Sequence, residues 1–237
     1  MFETLVALAA LAGGVVASLA GFGIGSLITP LLAAKYGMKL AVAMVAIPHV
    51  AGTALRFWFL RRALDRSVLL TFGVTSALGG LTGAILHSWI GGKVLAYILA
   101  ALLIFAGVTG LLGITLKFGR GGAWVAGALS GLLGGLVGNQ GGIRAGAMLG
   151  FDVPKEAFVA TATAVALLID GARVPVYLYT EGERLQTVWP IIAVATVAVL
   201  LGTLIGRVIL GRIPDAAFKR VVSGLILLLG ISMLFIA

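Results

Sequence analysis

The sequence predicts an all-α polytopic membrane protein made of two inverted repeats. Each repeat is a Gly-broken helix or re-entrant hairpin followed by three transmembrane helices. Three observations lead to this fold. Charge is too scarce for a soluble globule, eight apolar runs are separated by short charged loops, and the chain resembles itself at an offset of 117 residues.

Of the 237 residues, 61% are hydrophobic and 11% charged, with a mean hydropathy of +1.17. Soluble domains carry about 45–50% apolar and about 25% charged residues. The deficit excludes a water-soluble globule, a disordered chain and a nucleic-acid binder; the lipid bilayer is the partner that fits. There is no cysteine, which removes disulfides and thiolate metal sites. No metal or cofactor is expected. The net charge of +9 belongs first to cytoplasmic loops, and second to a conduit that favours anions. Met1-Phe2-Glu3-Thr4 lacks the basic n-region of a signal peptide, so the first apolar run is read as part of the mature fold. The expected location is a prokaryotic plasma membrane, crossed several times.

The apolar runs cover 4–34, 40–60, 67–86, 94–116, 122–150, 157–179, 187–206 and 216–237. Six are near the ~20 residues that cross a bilayer. The first and fifth, at 31 and 29 residues, would make about 45 Å of straight helix at 1.5 Å per residue. Both are interrupted by glycine. The first contains Gly21-Phe22-Gly23-Ile24-Gly25-Ser26 with Pro30 beyond; the fifth contains Gly138-Asn139-Gln140-Gly141-Gly142. Glycine weakens a helix by about 1 kcal/mol relative to alanine, and proline removes a helical hydrogen bond. Ser26 and Asn139 are the expected caps of helices restarting after each break. Non-helical backbone at membrane depth is tolerated where it is buried or lines a wet cavity. Glycines at i+4 spacing also suit close helix packing, but both long runs are interrupted alike and the polar Asn139 and Gln140 sit inside one interruption, which favours a break.

Sliding the chain by 117 residues superposes the breaks. Gly21 falls on Gly138, Gly25 on Gly142 and Arg56 on Arg173. The arginine match carries most weight, because arginine inside an apolar run is rare. The repeats are 1–118 and 119–237. If all eight runs cross, the loop charges show no bias. If the two broken runs enter and leave on one side, one face collects Arg61, Arg62, Arg66, Lys117, Arg120, Lys155, Arg207, Arg212, Lys219 and Arg220. The other keeps Lys35, Lys39, Lys93 and Arg184. Ten against four satisfies the positive-inside rule. Three crossings per repeat is an odd number, so the second repeat is inverted, which is a transporter plan.

Gly21-Phe22-Gly23-Ile24-Gly25-Ser26 followed by Pro30-Leu31-Leu32 resembles the first glycine-rich signature of the TauE/SafE family of membrane transporters. Gly138-Asn139-Gln140-Gly141-Gly142-Ile143-Arg144 sits where the second signature lies, and Val153-Pro154-Lys155-Glu156-Ala157 resembles the link into the next span. The resemblance covers the whole chain. It implies a carrier that exports sulfite or small organosulfonates such as sulfoacetate.

The polar groups inside the runs suit a small anion. An arginine at the centre of a span costs roughly 2.5–3.5 kcal/mol, so each needs a reason. Arg56 either snorkels to the headgroups or faces the anion. Arg173 either pairs with Asp170, three residues earlier, or faces the anion. Arg144, directly after the second break, has the anion-facing role. Two restarted helices offer N–H donors at Gly23 and Gly25 and at Gly141 and Gly142. Asn139 and Gln140 add neutral donors, and the guanidinium forks match sulfonate or carboxylate oxygens. His49 and Asp170 are the residues able to relay a proton if transport is proton-coupled; packed histidine and ion-pair partner are their alternative roles. An outward movement driven by the membrane potential needs no coupling ion. An anion channel or uniporter, and a proton-coupled carrier of another small carboxylate, share these features. An intramembrane enzyme is disfavoured, since neither H-E-x-x-H nor G-x-S-x-G occurs. A homodimer is compatible with the sequence.

Overall fold

The computed structural model describes residues 1–114, 122–139, 144, 148, 154–209 and 215–236. Among them there are helices and no strand. They are α1 (Phe2–Ala20), α2 (Ile24–Tyr36), α3 (Met38–Leu60, continued by a 3₁₀ turn Arg61–Ala63), α4 (Arg66–Trp89, widened to a π-turn over Leu69–Gly73) and α5 (Gly92–Leu111). After these come α6 (Ala123–Val137), α7 (Lys155–Thr187), α8 (Trp189–Ile209) and α9 (Asp215–Ile236). The chain is an all-α, multi-pass membrane protein: α3, α4, α5, α7 and α8 are long and apolar enough to cross a bilayer, and α9 carries a shorter apolar stretch, Arg220–Phe235.

Helix ends follow local chemistry. Asp65 caps α4, its carboxylate accepting from Val68 N–H at 3.0 Å. The expected sixth run stopped at 179, but α7 continues to Thr187. Its last turns are polar helix formers held by the Arg184–Glu181 pair at 2.8 Å, an i,i+3 contact.

The first broken run is a hairpin. The Phe2 ring lies 6.0 Å from the Tyr36 ring, and Lys35 Nζ sits 4.5 Å above Phe2. The start of α1 and the end of α2 are therefore neighbours. At the other end, a Cβ on Gly13 would come 3.2 Å from Ile24 Cα. From Phe2 to Gly13 and from Ile24 to Tyr36 the helix rise is about 16–18 Å each at 1.5 Å per residue. The two arms thus match, and residues 14–23 form the tip.

Glycine crossings hold the bundle, and they occur in pairs. On α4, a Cβ at Gly79 would strike the Ala128 carbonyl of α6; on α8, a Cβ at Gly202 would strike the Leu11 carbonyl of α1. Gly131 abuts the Ser76 carbonyl as Gly14 abuts the Val199 carbonyl. Gly107 of α5 abuts Leu227 of α9, and Gly230 of α9 abuts Ile104 of α5. Each member of a pair lies 117 residues from its mate in α1 and α6, and 123 residues from it in α4, α5, α8 and α9. Reciprocal contacts of this kind are what a two-fold relation produces.

Candidate functional site

The helix ends that lead into the two breaks are built alike. Gly21 (φ 81°) ends α1 and Gly138 (φ 73°) ends α6, both left-handed. Their N–H groups return to the carbonyls of Ala17 (2.9 Å) and Gly134 (3.0 Å). A side chain is disfavoured at this φ, which is why glycine stands at both ends. Gly23 (φ 136°) then starts α2. A Cβ there would also lie 2.5 Å from Val16 Cγ1. Ser26, expected to cap α2, does not: the N-cap is Gly23, with no side-chain hydrogen bond. Ser26 lies within the first turn and accepts from Asn139 Nδ2 at 3.2 Å.

The two breaks meet. A Cβ on Gly25 would come within 2.5 Å of the Gly138 carbonyl. Asn139 reaches Ser26, and Arg144 NH2 donates to the Gly21 carbonyl at 3.1 Å. Arg144 is helical and 3% exposed, and its NH1 is buried with no partner among the described residues. Gln140, Gly141 and Gly142 lie outside the described residues.

Arg56 and Arg173 anchor the helix ends behind the breaks. Arg56 NH1 donates to the Ala17 carbonyl, and its Nε to Thr163 Oγ1 at 3.2 Å. It is 6% exposed, so the snorkelling role is corrected: the guanidinium points inward because a helix end offers it carbonyl oxygen. Arg173 NH1 donates to the Gly134 carbonyl at 2.7 Å, while Nε (2.9 Å) and NH2 (2.8 Å) hold Asp170 Oδ1. Every nitrogen of Arg173 is engaged. The other Asp170 oxygen, Oδ2, lies 2.7 Å from His49 Nδ1, so the acid joins α3 to α7.

The sequence does not signal several of these contacts. Tyr177 donates its hydroxyl to the Gly135 carbonyl, and His87 Nδ1 lies 2.7 Å from the Leu136 carbonyl. With Arg173 they cover three consecutive carbonyls at the end of α6. The Thr29, Thr53 and Thr203 hydroxyls are buried without a partner among the described residues. Two surface cavities of about 390 and 530 Å³, one beside Gln186 and Trp189 and one between α1 and α8, include none of these groups.

The arrangement is a buried basic centre at two facing helix breaks. The profile of the sulfite exporter TauE/SafE family matches residues 5–233. The chain belongs to the sulfite exporter TauE/SafE family. No curated protein and no solved structure matches it. The TauE/SafE match runs through both breaks and every helix described above, so the chain is a membrane transporter of the sulfite or sulfonate type, and the buried basic centre lies inside the matched region.

Proposed function

We propose that the protein exports a small oxyanion, sulfite or a sulfonate such as sulfoacetate, by alternating access between two inverted repeats, 1–118 and 119–237. The membrane is a prokaryotic plasma membrane. The observation that carries this reading is Arg144: a buried guanidinium at the meeting point of two helix breaks with one nitrogen still unpartnered among the described residues. A buried donor left unmade costs about 1–3 kcal/mol, more when charged, so a centre that keeps one is suited to receiving an acceptor. An oxyanion supplies it. The first-turn N–H groups of α2 at Gly25 and Ser26 add the positive end of a helix, and Asn139 adds an amide. Gln140, Gly141 and Gly142 are the residues the sequence offers for a second cradle, and Arg56 and Arg173 add positive charge from behind each break.

The reciprocal glycine crossings support the two repeats, and the α1–α2 hairpin supports an odd number of crossings in the first; a matching hairpin in the second inverts one against the other. Rocking about the crossing helices would open the centre to one side and then to the other. A negative interior favours anion exit by about 2.3 kcal/mol per charge per 100 mV.

The test is flux in proteoliposomes with sulfite, sulfoacetate, sulfate and lactate under an imposed potassium-diffusion potential. Saturable, trans-stimulated movement of sulfite or sulfoacetate is expected. Preference for lactate would remove the substrate assignment; non-saturating current would replace the carrier by a channel.

A further inference from the structure

The His49–Asp170 contact has no counterpart on the opposite side of the pseudo-symmetry. The residue 117 positions after His49 is Ala166, and the residue 117 positions before Asp170 is Thr53. This pair puts one titratable bond across the α3–α7 contact, 2.7 Å long, beside the proposed anion centre. We infer that His49 takes up a proton when the anion binds and releases it when the anion leaves, so that one proton travels with each anion. The inference rests on the transport reading above.

The argument is one of charge and tautomer. Asp170 Oδ1 is held by Arg173, so the carboxylate is ionised and Oδ2 only accepts. His49 Nδ1 therefore carries the hydrogen of that bond. Nε2 is left as the site for a second proton. The His49 side chain is 11% exposed and that of Asp170 1%, so a path for that proton is shorter to the histidine than to the acid.

The charged groups acting on the imidazole are Asp170 and Arg173 from α7 and Arg56 from α3 itself; Arg144, after the second break, joins the same buried cluster through its interaction with Asp170, Arg173 and Arg56. The neighbouring α2 and α8 bring no ionisable side chain to the middle of the bundle; their only charged residues, Lys35 and Arg207, lie in the last turns. Three guanidiniums against one carboxylate give the side chains of this cluster two net positive charges. That surplus opposes a proton on His49. An arriving dianion cancels it, and the opposition disappears. Linkage is reciprocal, so a proton on His49 must raise anion affinity by the same factor that the anion raises proton affinity. The imidazolium also strengthens the bond to Asp170 that joins α3 to α7. A dianion with one proton carries one net negative charge, so exit stays favoured by the membrane potential.

Sulfoacetate is the probe, because it stays doubly ionised between pH 6.5 and 7.5. Vesicles holding the full protein are clamped at zero potential with equal potassium and valinomycin, at internal pH 7.5 and external pH 6.5. One proton per anion drives internal sulfoacetate toward tenfold the external level. His49→Gln keeps an amide donor for Asp170 and loses the second proton site, so its sulfoacetate is expected to level off at a onefold ratio; His49→Asn replaces it if the first variant does not assemble. Wild-type flux that stops at onefold overturns the inference and leaves the transport reading standing. Tenfold accumulation by either variant assigns the proton elsewhere and overturns it too. Absence of any sulfoacetate flux in the wild type overturns the sulfoacetate reading and this inference together.

Discussion

Arg56 and Arg173 each donate NH1 to the carbonyl 39 residues upstream, Ala17 in one half and Gly134 in the other. These carbonyls also receive the N–H of the left-handed glycines that end α1 and α6. A helix C-terminus carries roughly half a negative charge, and a cation there stabilises by about 0.3–1 kcal/mol at the surface and up to ~2 kcal/mol when partly buried. Each arginine therefore lowers its own burial cost by neutralising a helix end inside the membrane. The two breaks and the two arginines are one device used twice.

The device is used with unequal partners, which yields the first prediction. Arg173 holds a buried carboxylate; Arg56 holds a threonine hydroxyl. Removing one member of a buried ion pair costs about 3–5 kcal/mol, whereas losing a helix-end cation costs at most ~2 kcal/mol. Arg173→Ala should lower thermal stability in detergent more than Arg56→Ala. Asp170→Asn combined with Arg173→Gln should recover at least half of the Arg173→Ala loss. Equal losses for the two alanine variants would show that the Asp170 pair does not set the difference.

Much of this was legible in the sequence because its signals are local. Gly21 and Gly138 interrupt runs that are otherwise too long, and Arg56 and Arg173 are charges where charges are costly. The hairpin needed one further step, the count of loop charges. The partners of the arginines were not legible. Arg173 was expected either to pair with Asp170 or to meet the anion, but its bond to Gly134 depends on a turn 39 residues away. His49 and Asp170 are 121 residues apart, and the self-alignment hides them because neither has an equivalent. Serine favours a cap position, but the N-cap of α2 has φ 136°, which admits little but glycine, so Gly23 takes that place and Ser26 lies in the first turn.

The glycine crossings give a second prediction. Gly79→Ala and Gly202→Ala occupy equivalent places, and each new methyl would meet a backbone carbonyl of the facing helix, Ala128 or Leu11. Overpacking of this kind costs about 1–3 kcal/mol, and the two losses should agree. Gly171, also helical, has nothing within 4 Å of an added Cβ, so Gly171→Ala should be neutral or stabilising by up to ~1 kcal/mol. Thermal unfolding of the three variants reads the result; a loss at Gly79 with none at Gly202 would break the two-fold relation.

Arg144 is expected to act on affinity rather than on folding. Its one hydrogen bond to the described residues goes to the Gly21 carbonyl, and NH1 has no partner among those residues. Arg144→Gln should raise the KM for sulfite roughly ten- to hundredfold, since a hydrogen bond to a charged group contributes about 1.5–3 kcal/mol and each 1.4 kcal/mol is tenfold. The melting temperature should move little. A large drop in stability with unchanged KM would make Arg144 a structural residue and move the anion site elsewhere.

The last prediction concerns which ends face the cytoplasm. Lys39 Nζ donates to the Ser88 carbonyl at 2.7 Å, placing the start of α3 beside the end of α4. Arg207 sits 4.0 Å over the Phe59 ring, placing the end of α8 beside the end of α3. The two contacts mark opposite faces, because α3 runs between them. The α1–α2 hairpin returns Lys35 to the Lys39 face. If the second break is a hairpin as well, α7 starts at Lys155 on the Arg207 face, the face to which the sequence count assigns ten of the fourteen loop cations. The positive-inside rule makes that face cytoplasmic. The chain has no cysteine, so Lys39→Cys and Lys155→Cys each carry a single thiol. In intact cells a membrane-impermeant maleimide should label the thiol at position 39 and spare the one at position 155 until the membrane is opened. Labelling of both from outside would mean that the second broken run crosses the membrane, and the two halves would then no longer be inverted copies.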